Sequence, residues 1–201
     1  MAFDASITLV AGESLLADLA SVSISAPLVE ESAKGVALIA LVLLFRREFH
    51  NVLDGIIYGA MIGFGFALTE NVFAYFLPIL TSEGLGAGLI NIFMRTVVFG
   101  FNHAFWTAIT GAAIGYARLS PQPLRRLFLP IAGWAAAVLL HGVHNAGASL
   151  VEQTFCLSLG ISLVIHWGGL ALLIAVAILV GRRESQWIER GLAEEVRRGA
   201  L

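Results

Sequence analysis

Glu30, Glu31 and Lys34 stand just before an apolar run, Gly35 to Phe45, that Arg46 and Arg47 bring to a stop. A bilayer core takes about 20 helical residues at ~1.5 Å each, so this run alone is too short to cross. The span has to reach back through the lysine and both glutamates. An ionised group at bilayer depth costs roughly 2.5–3.5 kcal/mol on insertion scales, so two carboxylates held there call for a catalytic or transport role. Lys34 is four residues after Glu30 and three after Glu31, the spacings at which helical side chains meet. It can therefore neutralise one carboxylate and tune the other.

Further polar groups interrupt other apolar stretches. Glu70 and Asn71 end a run in which Gly55, Gly59 and Gly63 recur at four-residue steps, a spacing that places the glycines on one helix face for close packing. His103 lies eight residues after Arg95, whose long stem reads as snorkelling to the interface. His141 and Asn145 share a helix face, with His144 on its flank. Two or three histidines, an asparagine and the carboxylates, with no Ser or Cys placed as a nucleophile, suit activation of water. A carboxylate removed from bulk solvent is a competent general base, and His and Asn can donate to a developing oxyanion. There is no His-Glu-x-x-His arrangement, yet Glu and His are good zinc ligands. A metal assembled from several helices is thus the alternative to a metal-free site. His166 with Trp167 reads as an interfacial pair, and His50 as a solvated loop residue.

The elements that must position these groups are membrane helices. A mean hydropathy of +0.86, 58% hydrophobic and 13% charged residues lie far from soluble domains, where charged residues run near ~25%. The expected fold is all-α: a polytopic helical bundle of about five spans, drawn at Ala26–Phe45, Gly55–Leu77, Thr96–Tyr116, Leu127–Leu150 and Leu157–Val180. The stretch Pro78–Asn91 is expected to be a loop. Residues 1–25 form an N-terminal external segment, or else follow further spans; 26–181 are the catalytic core. Residues 182–201 form a C-terminal helix, with Trp187, Ile188, Leu192 and Val196 at amphipathic spacing for the membrane interface. Basic loops after the first, third and fifth spans alternate with loops lacking Lys and Arg. By the positive-inside rule this puts the C-terminus in the cytoplasm and the polar groups toward the outer leaflet. A net charge of −2 gives no reason to expect nucleic acid, and the lone Cys156 excludes an internal disulfide or a cysteine metal cluster.

Four of these stretches, in order, resemble the motifs of PrsW-type intramembrane proteases, relatives of the CAAX-processing and bacteriocin-immunity membrane proteases. Glu-Glu-Ser-Ala-Lys at 30–34 resembles their EExxK motif. The run ending in Glu70-Asn71 is similar to the second motif, Phe-Asn-His-Ala-Phe-Trp with His103 to the third, and His141-x-x-x-Asn145 to the fourth. The likeness covers about residues 26–150 and departs from typical members in its short N-terminal region. It implies a bacterial or archaeal cytoplasmic membrane protein with a water-accessible cavity. It further implies hydrolysis of peptide bonds in membrane-anchored protein or peptide substrates, such as an anti-sigma factor. The reading is a glutamate-type endopeptidase needing no cofactor. Glu30 is the base with Glu31 close by, Glu70 and His103 orient the base or the water, and His141 with Asn145 form the oxyanion site. Lys34, Asn71 and His144 support them. A zinc-dependent protease is the first rival; a proton-coupled transporter or channel is the second, and a catalytically dead scaffold the third.

Overall fold

The computed structural model describes residues 15–199. Five helical rods account for nearly all of them: α1 (15–44), α2 (Val52–Glu83), α3 (Leu85–Leu119), α4 (Pro123–Ser149) and α5 (Leu157–Arg197). No strand occurs among the described residues. Helices α2 to α5 are long and apolar enough to cross a membrane; α1 is long enough, but Glu30, Glu31 and Lys34 keep it outside that group. Residues 1–14 of the expected external segment lie outside the described residues. From Leu15 the chain is already helical and runs without a break into Ala26–Leu44.

The first loop on the polar side differs from expectation. Pro78–Asn91 is helical except at Gly84, where α2 ends and α3 begins. Gly84 takes φ +88°, a left-handed value glycine adopts at no steric cost, so the chain reverses without a polar loop. Pro78 is tolerated because it lies in the first turn of Leu77–Glu83, after a π-helical stretch has already shifted the hydrogen-bond register. As a result Glu70 is thirteen residues, ~20 Å, from the end of α2. It lies further from that end than its distance from Leu77 implies. At the opposite end Asn51 caps α2 by a reciprocal bond pair with Asp54. Asn51 also donates to Glu184 Oε2 at 3.1 Å, tying α2 to α5 beyond Arg182 and Arg183. The expected C-terminal helix is thus the last stretch of α5 itself, and Trp187, Ile188, Leu192 and Val196 on it are exposed.

Helices α2 and α3 touch backbone to backbone. A Cβ at Gly59 would come within 2.5 Å of the Thr107 carbonyl, and one at Gly63 within 2.6 Å of Ala104 Cα, closer still to the His103 carbonyl. Gly55 meets Gly111, and Gly115 meets the Asn51 carbonyl. The four-residue glycine step therefore serves packing, as small-residue interfaces do in membranes. It also sets the height at which His103 faces α2. Gly142 lets α4 approach the Ser23 carbonyl of α1 in the same way. Trp106, Phe105 and Ala137 form the buried core where α3 meets α4.

Candidate active site

Three π-helical stretches, Ser21–Ser25 in α1, Asn71–Phe76 in α2 and Met94–Val98 in α3, lie beside the polar residues. Such register shifts often mark functional sites because they re-aim side chains that a regular helix would point elsewhere. In α3 the helix also breaks at Phe99–Phe101 and restarts at Asn102, so His103 stands in the first turn of the second half.

Glu31 and Lys34 are each only 1% exposed, whereas Glu30 is 19% exposed. Lys34 Nζ donates to Glu31 Oε1 at 2.7 Å and to His103 Nδ1 at 2.8 Å, and lies 3.6 Å from Glu30 Oε2. His103 Nε2 is 3.1 Å from Glu70 Oε2. A lysine can only donate and a carboxylate only accept. His103 therefore accepts at Nδ1 and donates from Nε2. Arg95 completes the chain: its Nη2 donates to Glu70 Oε2 at 2.6 Å and its Nε to Asn71 Oδ1 at 2.7 Å. Its guanidinium also lies 3.5 Å from the centroid of the Tyr75 ring. Arg95 is thus a site residue, correcting the expectation that it snorkels outward. Two donors fixed in a planar fork are what hold Glu70 and Asn71 in register.

His141 donates from Nδ1 to Glu31 Oε1 at 3.0 Å, and its Nε2 lies 3.8 Å from Glu30 Oε2. Its ring stacks on Trp106, with centroids 4.1 Å apart and planes 15° apart. Glu31 Oε1 is therefore shared by lysine and histidine, while Oε2 of Glu31 and Oε2 of Glu30 have no hydrogen bond among the described residues. Of the paired glutamates, Glu31 fixes the framework and Glu30 is the freer group.

The structure brings Glu30, Glu31, Lys34, Glu70, His103 and His141 into one linked cluster. Asn145 sits apart: its Nδ2 donates to the Val22 carbonyl at 3.0 Å. It nevertheless lines, with His141, His103, His144 and Arg95, a polar cavity of about 50 Å³. His144 packs behind the site, its Nδ1 2.9 Å from Ser162 Oγ and 3.3 Å from Asn102 Nδ2. His166 is buried, with Nδ1 on the Ser162 carbonyl and Nε2 near the Leu140 carbonyl, so it is no interfacial residue; Trp167 alone is exposed. The sequence reading also missed Trp106, which lines the polar cavity and whose Nε1 has no partner among the described residues. Its only signal was a place at the end of the Phe-Asn-His-Ala-Phe-Trp stretch.

One donor atom each from Glu30, His103 and His141 lies within 4.8 Å of the other two. Each histidine gives its other ring nitrogen to a carboxylate, His103 to Glu70 and His141 to Glu31. That pairing is the usual support of zinc-bound imidazoles, and two histidines with a glutamate form a known catalytic zinc set. The donor set therefore fits the metal. Lys34 Nζ, however, already stands among these donors. A divalent ion at ~4 Å from an ammonium is opposed by roughly 8 kcal/mol at an effective dielectric of ~20, so Lys34 would have to withdraw.

Comparison with known proteins gives the class. The family described as "PrsW family intramembrane metalloprotease" matches residues 2–182. The chain belongs to the PrsW protease family. It is 28% identical over 147 residues to the Bacillus subtilis (strain 168) "Protease PrsW", an alignment covering 73% of this chain and 62% of that protein. The chain therefore spans less than two thirds of this curated PrsW relative. No solved structure matches it.

Proposed function

We propose that this PrsW-family chain is an intramembrane endopeptidase in which Glu30 activates water against a peptide bond of a membrane-anchored substrate, an anti-sigma-factor-like protein being the type implied by the family likeness. The observation that carries the reading is that Glu30 Oε2 is buried beside His141 Nε2 and Lys34 but hydrogen-bonded to neither, whereas Glu31 Oε1 is held by both. Its carboxylate takes a proton from water as the water oxygen attacks the scissile carbonyl carbon. The carbon–nitrogen bond then breaks, and the proton held by Glu30 passes to the departing amine. Glu31 holds Lys34 and His141 in place. The Arg95–Glu70–His103 chain fixes the His103 ring against Lys34. Asn145 has two amide hydrogens and spends one on Val22; the other is assigned to the oxyanion, with His141 beside it. The distribution of arginines favours a cytoplasmic C-terminus, in a bacterial or archaeal membrane.

A second reading is favoured by the convergence of Glu30, His103 and His141. In it these residues would hold zinc, whose Lewis acidity would supply polarisation of the scissile carbonyl and acidification of water. Glu70 and Glu31 then orient the two imidazoles. The position of Lys34 favours the first reading. Cleavage by purified protein after exhaustive chelation tests the choice: full activity with substoichiometric zinc supports the glutamate mechanism. Activity lost on chelation and restored by Zn²⁺ establishes the metalloenzyme.

A further inference from the structure

The cluster has two approaches of opposite character. On the α3–α4 side lies the polar cavity lined by Arg95, Asn102 and His144, among others. At about 50 Å³ it has room for roughly three to five waters at ~10–15 Å³ of free volume each, and none for a polypeptide. On the other side an open groove of about 500 Å³ runs between α1 and α2. Its walls are Ala33 and Ala37 on α1 with Gly65, Phe66 and Phe73 on α2, and its polar end is Lys34 and Glu70, two members of the cluster. Ala33, Ala37, Gly65 and Phe73 are all exposed, so the groove opens sideways from the bundle. In a membrane that direction is lipid.

Resting on the endopeptidase reading, we propose that the α1–α2 groove is the lateral door through which an apolar stretch of a substrate's membrane segment reaches the Lys34–Glu70 edge of the cluster that holds Glu30, water arriving from the polar cavity opposite. The occupant follows from size, polarity and continuity. The cavity excludes a peptide, the groove is apolar as a lipid-embedded segment requires, and it is continuous with the site through Lys34 and Glu70. Its volume also fixes how much chain enters. One turn of a helix ~10 Å wide fills roughly 420 Å³, so the groove takes about one turn's worth of chain. In an intact helix each scissile carbonyl is occupied by its own hydrogen bond; the stretch that enters is therefore short and unwound, and small or helix-weak residues at the cleavage point favour it.

Gly65 offers a clean handle, since a Cβ added there meets nothing within 4 Å. Gly160 on α5, also exposed with nothing within 4 Å, is the control. The probe is a 30-residue single-span Leu/Ala peptide with a central Ala-Gly-Ala-Gly stretch, placed with the protein in phosphatidylcholine vesicles. A benzophenone side chain at Gly65 or Ala37, in the Glu30→Gln background, should on illumination capture the peptide through its central stretch. Capture should be at least tenfold above that at Gly160. Equal or greater capture at Gly160 overturns the door. With Glu30 intact, Gly65→Phe should slow cleavage of the same peptide at least tenfold while Gly160→Phe leaves it unchanged. Wild-type cleavage by Gly65→Phe overturns the door and leaves the peptidase standing. Capture at Gly65 by a protein that cleaves no membrane peptide upholds the groove as a binding site and removes the peptidase reading instead.

Discussion

Gly63 is the position where one methyl group should cost catalysis far more than it costs folding. In Gly63→Ala the new Cβ would lie 2.6 Å from Ala104 Cα and nearer still to the His103 carbonyl. Carbon atoms rest at about 3.5–4.0 Å, so α2 and α3 must part by ~1 Å at this level. Glu70 rides on α2 two turns away and His103 sits on α3 at the contact itself. The 3.1 Å bond between them then stretches to ~4 Å, beyond hydrogen-bond range. His103 loses its orienting carboxylate, and Lys34, bonded to His103 Nδ1, shifts with it. A ~1 Å misplacement in an active site costs on the order of 10²-fold in rate, whereas overpacking of this kind typically costs ~1–3 kcal/mol of stability. Cleavage of a single-span peptide in vesicles measures the first, and thermal unfolding in detergent the second. Gly55→Ala makes a clash with the Gly111 carbonyl that is at least as tight but ~12 Å further along the interface. It should lose comparable stability with a much smaller loss of rate. Equal loss of rate in the two variants, or a wild-type rate in Gly63→Ala, would show that this contact does not set the catalytic geometry.

Arg95→Lys should reduce kcat by ~10-fold or more, because a single ammonium cannot reproduce the fork joining Glu70 and Asn71; steady-state cleavage kinetics read it. Glu31→Gln should harm both folding and cleavage, since it weakens bonds to buried Lys34 and His141 together; thermal unfolding should show a loss that Glu30→Gln does not. Asn145→Ala should lower kcat by ~10²–10³ with little change in KM if it serves the oxyanion, and His144→Ala, which packs behind the site, should do less.

Much of this site was legible because membrane burial makes every intramembrane charge conspicuous. Glu30, Glu31, Lys34, Glu70, His103 and His141 each stood out against apolar neighbours, and the structure draws those six together. Arg95 was misread because its place near a drawn span edge looked like an interface. Because Pro78–Asn91 is helical apart from Gly84, Arg95 lies ten residues inside α3 and not at its edge. That misreading has a physical cause. Pro78, Ser82, Glu83 and the glycines at 84, 86 and 88 are loop-forming types in water, yet a π-helical stretch and one left-handed glycine accommodate them here. His166 was misplaced for a related reason: helical spacing shows which residues share a face but not which neighbouring helix covers it. The different duties of Glu30 and Glu31 were not legible either, since only the contacts of Lys34 and His141 separate them.

The most direct test is the cleavage rate of Glu30→Gln, reconstituted in vesicles with a single-span substrate and compared with wild type. The neutral isostere keeps the shape of Glu30 and adds no charge at bilayer depth. The fold, followed by helicity and thermal unfolding, should therefore be unchanged while turnover falls at least ~10²-fold, the usual loss on removing a general base. Turnover near that of wild type, from protein free of wild-type contamination, would contradict the assignment of Glu30 and the mechanism built on it.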